Sequence, residues 1–435
     1  MLPIVLFAVA CGGSELVDAS DGPGGDSSGD GIAASGFEIT ENVLAEGDFL
    51  GVERDVAAPE PLEFVSEQYE NIDYDADPIG FALDELIDGG ISSDFPEPVV
   101  EVSDIRAGFG RFFDGMQDGG IAPIDEPQFT SIEGATYLAG DEEPVVLAFV
   151  NGDARAFPLK VLISHEIVNT TVGDVPVAVT FCPLCNSALV IDRRVGNREL
   201  TFGVSGTLLN SALLMWDRET SSLWSHFTGE GVLGHYSGAK LDVLPSQTIS
   251  FGQFRRAFPD GQVLSEIHEE NANPGRYGAN AYNGQQVGFL FDGEFDERLP
   301  REDLVVGVDF QGDATAIRFS DLDDTGVQYF GGDDVLVALH VAGSSAAFDG
   351  VDVNTGTDIG QIGVFVSELN GEALVLNQTA DGSLFEDQLG NQWNIFGQAV
   401  SGPDAGESLE QIPHLDVFWF AWAAYQPDTV IIGQS

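Results

Sequence analysis

Cys182 and Cys185 stand three apart in Phe181-Cys182-Pro183-Leu184-Cys185-Asn186. The chain has only one other cysteine, Cys11. Thiols at this spacing suit three chemistries. In a metal knuckle, a tight turn aims two thiolates at one ion. A redox couple alternates dithiol and disulfide, and usually sets its first Cys at a helix N-terminus to lower that thiol's pKa. A structural disulfide would be the third. The flanking runs, Val175–Phe181 and Ala188–Asp192, are apolar and β-branched, so the turn sits between two strands, as in a knuckle. Two thiolates and the imidazole of His165 would supply three ligands to zinc, copper or iron. His226, His235 and His268 are candidates for a fourth ligand. Met215 is a thioether option that would favour Cu(I).

The elements that must position these groups are mostly strands joined by Gly, Asn and Asp turns. Pro144–Val150, Arg198–Val204 and Gly363–Glu368 are examples. The chain also resembles itself. Residues 145–157 match 305–317 at an offset of 160, and Val175–Val179 meets Val335–Leu339 at the same offset. Further on, Trp224 meets Trp393, Phe227 meets Phe396, and Leu241 and Pro245 meet Leu409 and Pro413. The expected fold is mainly β (α+β): two tandem, diverged copies of one β-rich module, each with short helices. One helix is expected over Leu159–Val168. A second closes each copy, at Ser250–Phe258 and Asp416–Tyr425. The latter is apolar nearly all round and reads as a buried helix. The expected organisation places copy one at 115–270, a connection at 271–289 and copy two at 290–435, with 36–114 left without a role. The copies differ in their chemistry. Cys182, Cys185, His165 and Glu166 align with Ala342, Ser345, Thr325 and Gly326. A scaffold that keeps its pattern without the thiols suggests that the thiols form a site rather than a staple.

Charge narrows the function classes. With 16 basic and 72 acidic residues the net charge is −56, and Lys160 and Lys240 are the only lysines. No basic patch exists to release counterions, so nucleic acid is excluded as a partner. Asp321-Leu322-Asp323-Asp324-Thr325-Gly326 is acidic but lacks the ligand ladder of a calcium loop. Residues 1–11 read as a lipoprotein-type signal: ten apolar residues end at Cys11, whose lipidation would anchor the chain to a membrane. Residues 12–35, rich in Gly, Ser and Asp, read as a flexible tether. Export would place Cys182 and Cys185 in the cell envelope, outside the reducing cytoplasm.

A second constellation follows the knuckle: Thr201-Phe202-Gly203-Val204-Ser205-Gly206, then Asp217 to Thr220. Gly203 and Gly206 suggest a tight turn exposing Ser205. No nucleophile elbow, P-loop, dinucleotide fingerprint or His-Glu-x-x-His occurs. Gly120–Asp125, His165–Asn169, Thr180–Cys185, Phe202–Gly206, Asp217–Thr220, Leu223–Ser225, Arg298–Pro300 and Phe418–Trp422 together resemble the bacterial and archaeal family called domain of unknown function 3179, over about 115–433. The resemblance implies an exported or membrane-attached protein, often a lipoprotein, and no particular activity. His226 stands where the family pattern carries Gln. The expectation is therefore an extracytoplasmic lipoprotein with a Cys182/Cys185/His165 metal site, used in redox or metal-delivery work. A thiol–disulfide oxidoreductase and a non-catalytic binding scaffold are the alternatives.

Overall fold

The computed structural model describes residues 99–100, 104–107, 121–138, 140–220, 222–266, 287–288, 290–332, 335–348 and 356–433. The expectations for Cys11, the 12–35 tether and His268 lie outside them. The fold is mainly β, with four α-helices of seven residues each among the described residues. None of these helices is long and apolar enough to cross a membrane.

In the first half, β1 (Pro144–Val150) and β2 (Asp153–Pro158) form an antiparallel hairpin. Helix α1 (Leu159–His165) follows, then β3 (Ile167–Val172), β4 (Val175–Cys182) and β5 (Ser187–Asp192), antiparallel in sequence order. β6 (Phe202–Leu209), β7 (Ala212–Asp217) and β8 (Leu223–Ser225) belong to a five-stranded antiparallel sheet. β9 (Ser246–Ser250) then returns to pair with β1. It leads into α2 (Phe251–Ala257), whose first turn is capped by the Ser250 hydroxyl accepting from the Gln253 N–H. β10 (Gln262–Leu264) closes this half, parallel to β2.

The same succession recurs in the second half. β11 (Leu304–Phe310) and β12 (Asp313–Arg318) form a hairpin, and α3 (Phe319–Thr325) follows. Next come β13 (Val327–Phe330), β14 (Leu336–Val341) and β15 (Gln361–Val366), again antiparallel in order. β16 (Leu415–Phe418) returns to β11, α4 (Trp419–Tyr425) follows, and β17 (Val430–Ile432) runs parallel to β12.

The halves are not independently covered. The core that contains Cys182, Cys185, Phe202, Met215 and Trp224 is completed by Val417, Trp419, Phe420 and Trp422. Reciprocally, Ile249, Phe251 and Phe254 pack with Val337, Phe365 and Trp393. Each half's closing strand and helix therefore cover the other half's sheets. The Gln247 side-chain amide joins them across the seam, donating to the carbonyls of Ile362 (2.9 Å) and Ile395 (3.1 Å). Fully burying one large apolar side chain contributes about 1.5–3 kcal/mol, so four such residues on β16 and α4 bind the halves firmly.

Several element boundaries differ from the sequence reading for local reasons. The α1 helix stops at His165 because β-branched Ile167 and Val168 pair with Thr180 and Val179 as strand. The expected Asp416–Tyr425 helix gives its first three residues to β16, whose ladder runs Leu304↔Phe418 to Gly307↔Leu415. Thr201–Gly206 is no exposed turn. Phe202–Leu209 is a strand with a register shift between Val204 and Thr207, and Ser205 is buried, its hydroxyl bonded to Thr207 Oγ1 and the Leu214 carbonyl.

Candidate functional site

Strands β4 and β5 end on Phe181-Cys182 and begin at Ser187, so the turn between them holds Cys182-Pro183-Leu184-Cys185-Asn186. The register pairs Cys182 with Ser187 across the hairpin. Asn186 closes the turn at φ +59°, a conformation Asn tolerates better than most residues. Both thiols are free and sealed, at 1% and 0% exposure. The Leu213 N–H donates to Cys182 Sγ at 3.4 Å. Burial, reinforced by the Cys185 thiol beside it, pushes the Cys182 thiol well up.

From Cys185 an unbroken polar chain runs through the interior. Cys185 Sγ lies 2.9 Å from Ser187 Oγ, which lies 2.7 Å from His226 Nε2. His226 Nδ1 lies 2.7 Å from Thr180 Oγ1, which donates to the Leu189 carbonyl at 3.4 Å. That carbonyl only accepts, and it fixes the direction of the chain. Thr180 O–H donates to it, His226 Nδ1–H donates to Thr180, Ser187 O–H donates to His226 Nε2, and the Cys185 S–H donates to Ser187. His226 has no exposed surface, and burial lowers its pKa to about 3, so the ring stays neutral and serves as an acceptor for Ser187. The sequence pattern offers His226 as a metal ligand. The structure places it two hydrogen bonds from Cys185. In the second half the register puts Leu339, Val341 and Gln361 where the first half has Thr180, Cys182 and Ser187, so no such chain can be built there.

His165 and Glu166 end α1. His165 is buried with Nδ1 2.7 Å from the Ala122 carbonyl. Among the described residues no group of three or more His, Cys, Asp and Glu side chains is arranged to hold a metal ion. Glu166 is the helix C-cap at φ +57°, ψ −31°, its N–H bonded to the Leu162 carbonyl at 2.7 Å. Its own carbonyl accepts from the Phe181 N–H at 2.8 Å, which sets it beside the last residues of β4. Burial and the Cys182 thiol both raise its carboxyl pKa well above the usual range. At the corresponding cap of α3 stands Gly326, at φ +70°, ψ −20°. The fold requires a left-handed residue at both places, and only the first half uses a Glu. Aligning the two halves pairs Glu166 with Gly326, but the backbone angle that gives the pairing its meaning is not visible in a sequence.

Other motif residues are framework. Asp217 accepts from Trp224 Nε1 at 2.8 Å and from Thr220, and Asp387 accepts from Trp393 Nε1 at 2.9 Å in the other half. Asn169 pins Phe202 by a reciprocal pair of backbone bonds and reaches Asp125. His235 is half-buried against Tyr236, with ring centroids 4.6 Å apart. Met215 shares the apolar core with both cysteines.

The second half reaches the turn directly. Phe418 N–H donates to the Cys185 carbonyl (3.0 Å), and Asn186 Nδ2 donates to the Asp416 carbonyl (3.2 Å). The Asp416 side chain, only 12% exposed, lines a water-sized polar cavity with Ser246, Gln247, Thr248 and His414. Among the described residues its Oδ1 finds no hydrogen-bond donor, and it lies 3.9 Å from His414 Nε2. Burial raises Asp416 to about 7 and lowers His414 to about 4. An ion pair would move both values the other way, so desolvation outweighs their attraction and the pair rests neutral over that pH interval. Tyr425 on α4 stacks on Phe227 (4.1 Å between centroids), and its hydroxyl donates to the Leu209 carbonyl.

A family model described as protein of unknown function (DUF3179) matches residues 118–429. No curated protein and no solved structure matches the chain.

Proposed function

We propose, from the premise that this chain belongs to the DUF3179 family, that Cys182 and Cys185 form a closed binding site for a soft metal ion of low coordination number, Cu(I) fitting best. The observation that carries this reading is the burial of two free thiols, 1% and 0% exposed, with the Leu213 N–H on one sulfur and Ser187 on the other. Thiolates are soft ligands that favour Cu(I), zinc and iron–sulfur centres. A structural zinc site wants four ligands, and no group of three is found among the described residues. Two sulfurs suffice for Cu(I). Binding forms two metal–sulfur bonds and releases two thiol protons, with no change of oxidation state. The Leu213 N–H, already directed at Cys182, stabilises the thiolate left behind.

Thiol–disulfide exchange is the weaker reading. An exchanging thiol is exposed and has a depressed pKa, whereas Cys182 is sealed with its pKa raised. The second half supports the binding reading: its β14 and β15 pair as β4 and β5 do, without any cysteine, so the sheet itself does not need the thiols. Anchoring through Cys11 would hold the site at the outer face of a membrane, where a carrier or buffer of copper would act.

The test is anaerobic titration with Cu(I) against a chromophoric Cu(I) chelator, beside a parallel zinc titration. One Cu(I) per chain is expected for the wild type, with binding lost in Cys182→Ser and in Cys185→Ser. Undiminished binding in either variant sinks the proposal. Zinc bound more tightly than Cu(I) would also sink it.

A further inference from the structure

We propose that Glu166 is the entry ligand of this dithiol site: its carboxylate takes the incoming ion from solvent and passes it to Cys182. The inference rests on the metal reading of Cys182 and Cys185 and adds to it the route of loading.

Three features single out Glu166. The first is backbone conformation. A Glu at φ +57° is disfavoured by contact between its Cβ and the backbone, and Gly326 shows what the same cap uses when nothing else is asked of it. Strain kept by a long polar side chain marks a side chain that does something. The second is the lack of a structural task. Among the described residues its carboxylate has no hydrogen-bond partner, and its backbone carbonyl, bonded to the Phe181 N–H at 2.8 Å, sets it next to Cys182. The third is position. Glu166 keeps part of its surface exposed, whereas the neighbouring Cys182 and Cys185 are sealed.

The chemistry suits transfer rather than storage. A carboxylate is a hard ligand and holds a soft ion weakly. It can therefore exchange the ion quickly with a thiolate beside it. In that step one metal–oxygen bond breaks, one metal–sulfur bond forms, and the Cys182 proton passes to the Glu166 carboxylate that the ion has just left. A passing ligand need not complete a permanent three-residue cluster, in keeping with the described residues, which contain none.

The experiment follows uptake of Cu(I) from its weak acetonitrile complex by stopped flow, in the intact wild-type chain and in Glu166→Gln, Glu166→Asp and Glu166→Gly. Affinity is measured separately by chelator competition. Uptake is expected to slow about tenfold or more in the Gln and Gly variants, a barrier increase of chemical size, with affinity changed less than about threefold. Asp should restore part of the rate. Glu166→Gly should also melt at a higher temperature than the wild type, since the strain is gone. A merely structural role would not raise stability and slow uptake together. Unchanged uptake in Glu166→Gln overturns the inference while leaving the dithiol site intact. Failure of the wild type to bind Cu(I) removes both, and is seen before any variant is made. A lower melting temperature for Glu166→Gly would overturn the strain argument.

Discussion

Asp416→Asn is expected to leave stability nearly unchanged at pH 4 and to raise it above pH 7. The Asp416 carboxyl is pushed up by burial to about 7, from an ordinary value near 4. Between those values the folded state holds a proton that the unfolded state has released, so stability falls as pH rises. Each pH unit of that interval corresponds to about 1.4 kcal/mol, which gives a ceiling of about 4 kcal/mol for the whole of it. Asn carries no ionisation and removes this penalty. His414 acts in the opposite sense. Burial lowers it to about 4, so the unfolded chain binds a proton below about pH 6.5 that the folded chain refuses, and stability is lost on acidification by up to about 3 kcal/mol. In the wild type the two effects nearly cancel between pH 4 and 6.5. In Asp416→Asn the His414 effect stands alone. Urea denaturation of both proteins at intervals from pH 4 to 9 reads this directly. The difference between them should grow with pH and level off above about pH 7. A variant less stable than the wild type, most of all between pH 4 and 7, would refute the reasoning. It would mean that Asp416 is ionised and paired with an imidazolium across the 3.9 Å gap.

His226→Gln should keep the bonds to Ser187 and Thr180 and remove an acid-labile group. Burial holds the imidazole at about 3, so stability is full above about pH 6.5 and falls as pH drops toward 3, and the Gln variant should resist acid unfolding better by several kcal/mol at most. Denaturation at pH 4 against pH 7 checks it. Trp224→Phe and Trp393→Phe should cost similar amounts, about 1–3 kcal/mol each. Both remove a 2.8–2.9 Å indole donor from a buried or partly buried carboxylate. A large difference in their urea midpoints would show that the two Asp/Trp pairs do not carry equal structural weight.

The hairpin around Cys182 and Cys185 is readable because β-branched runs and a Pro-containing turn signal strand, turn, strand within fifteen or so residues. The buried helix of Trp419 and Trp422 is readable for the same local reason. The polar chain is not. Thr180, Ser187 and His226 are ordinary residues in or beside strands, and only the sheet register and the packing of β7 and β8 against the hairpin bring them into line. His165 is the familiar ligand type, yet its neighbour Glu166 carries the unusual geometry, and backbone angles leave no mark on composition. Ser205 is buried rather than exposed because two glycines three apart, which suggest a turn, here serve a bulge inside a strand. Internal similarity suggests two modules in a row; it cannot show that β9 with α2, and β16 with α4, lie in the other half's core, because a contact pattern has no local signature.

That reciprocal cover sets an order of events during synthesis. Cys182 and Cys185 leave the ribosome more than 200 residues before β16 and α4. Until Val417, Trp419 and Phe420 arrive, the core around the thiols lacks its far wall, and the Cys185 carbonyl lacks the Phe418 N–H. The growing chain thus carries an open dithiol that β16 and α4 shut. Whatever oxidises, protects or loads that pair meets its widest access before β16 and α4 are made, and those two elements act as the stopper.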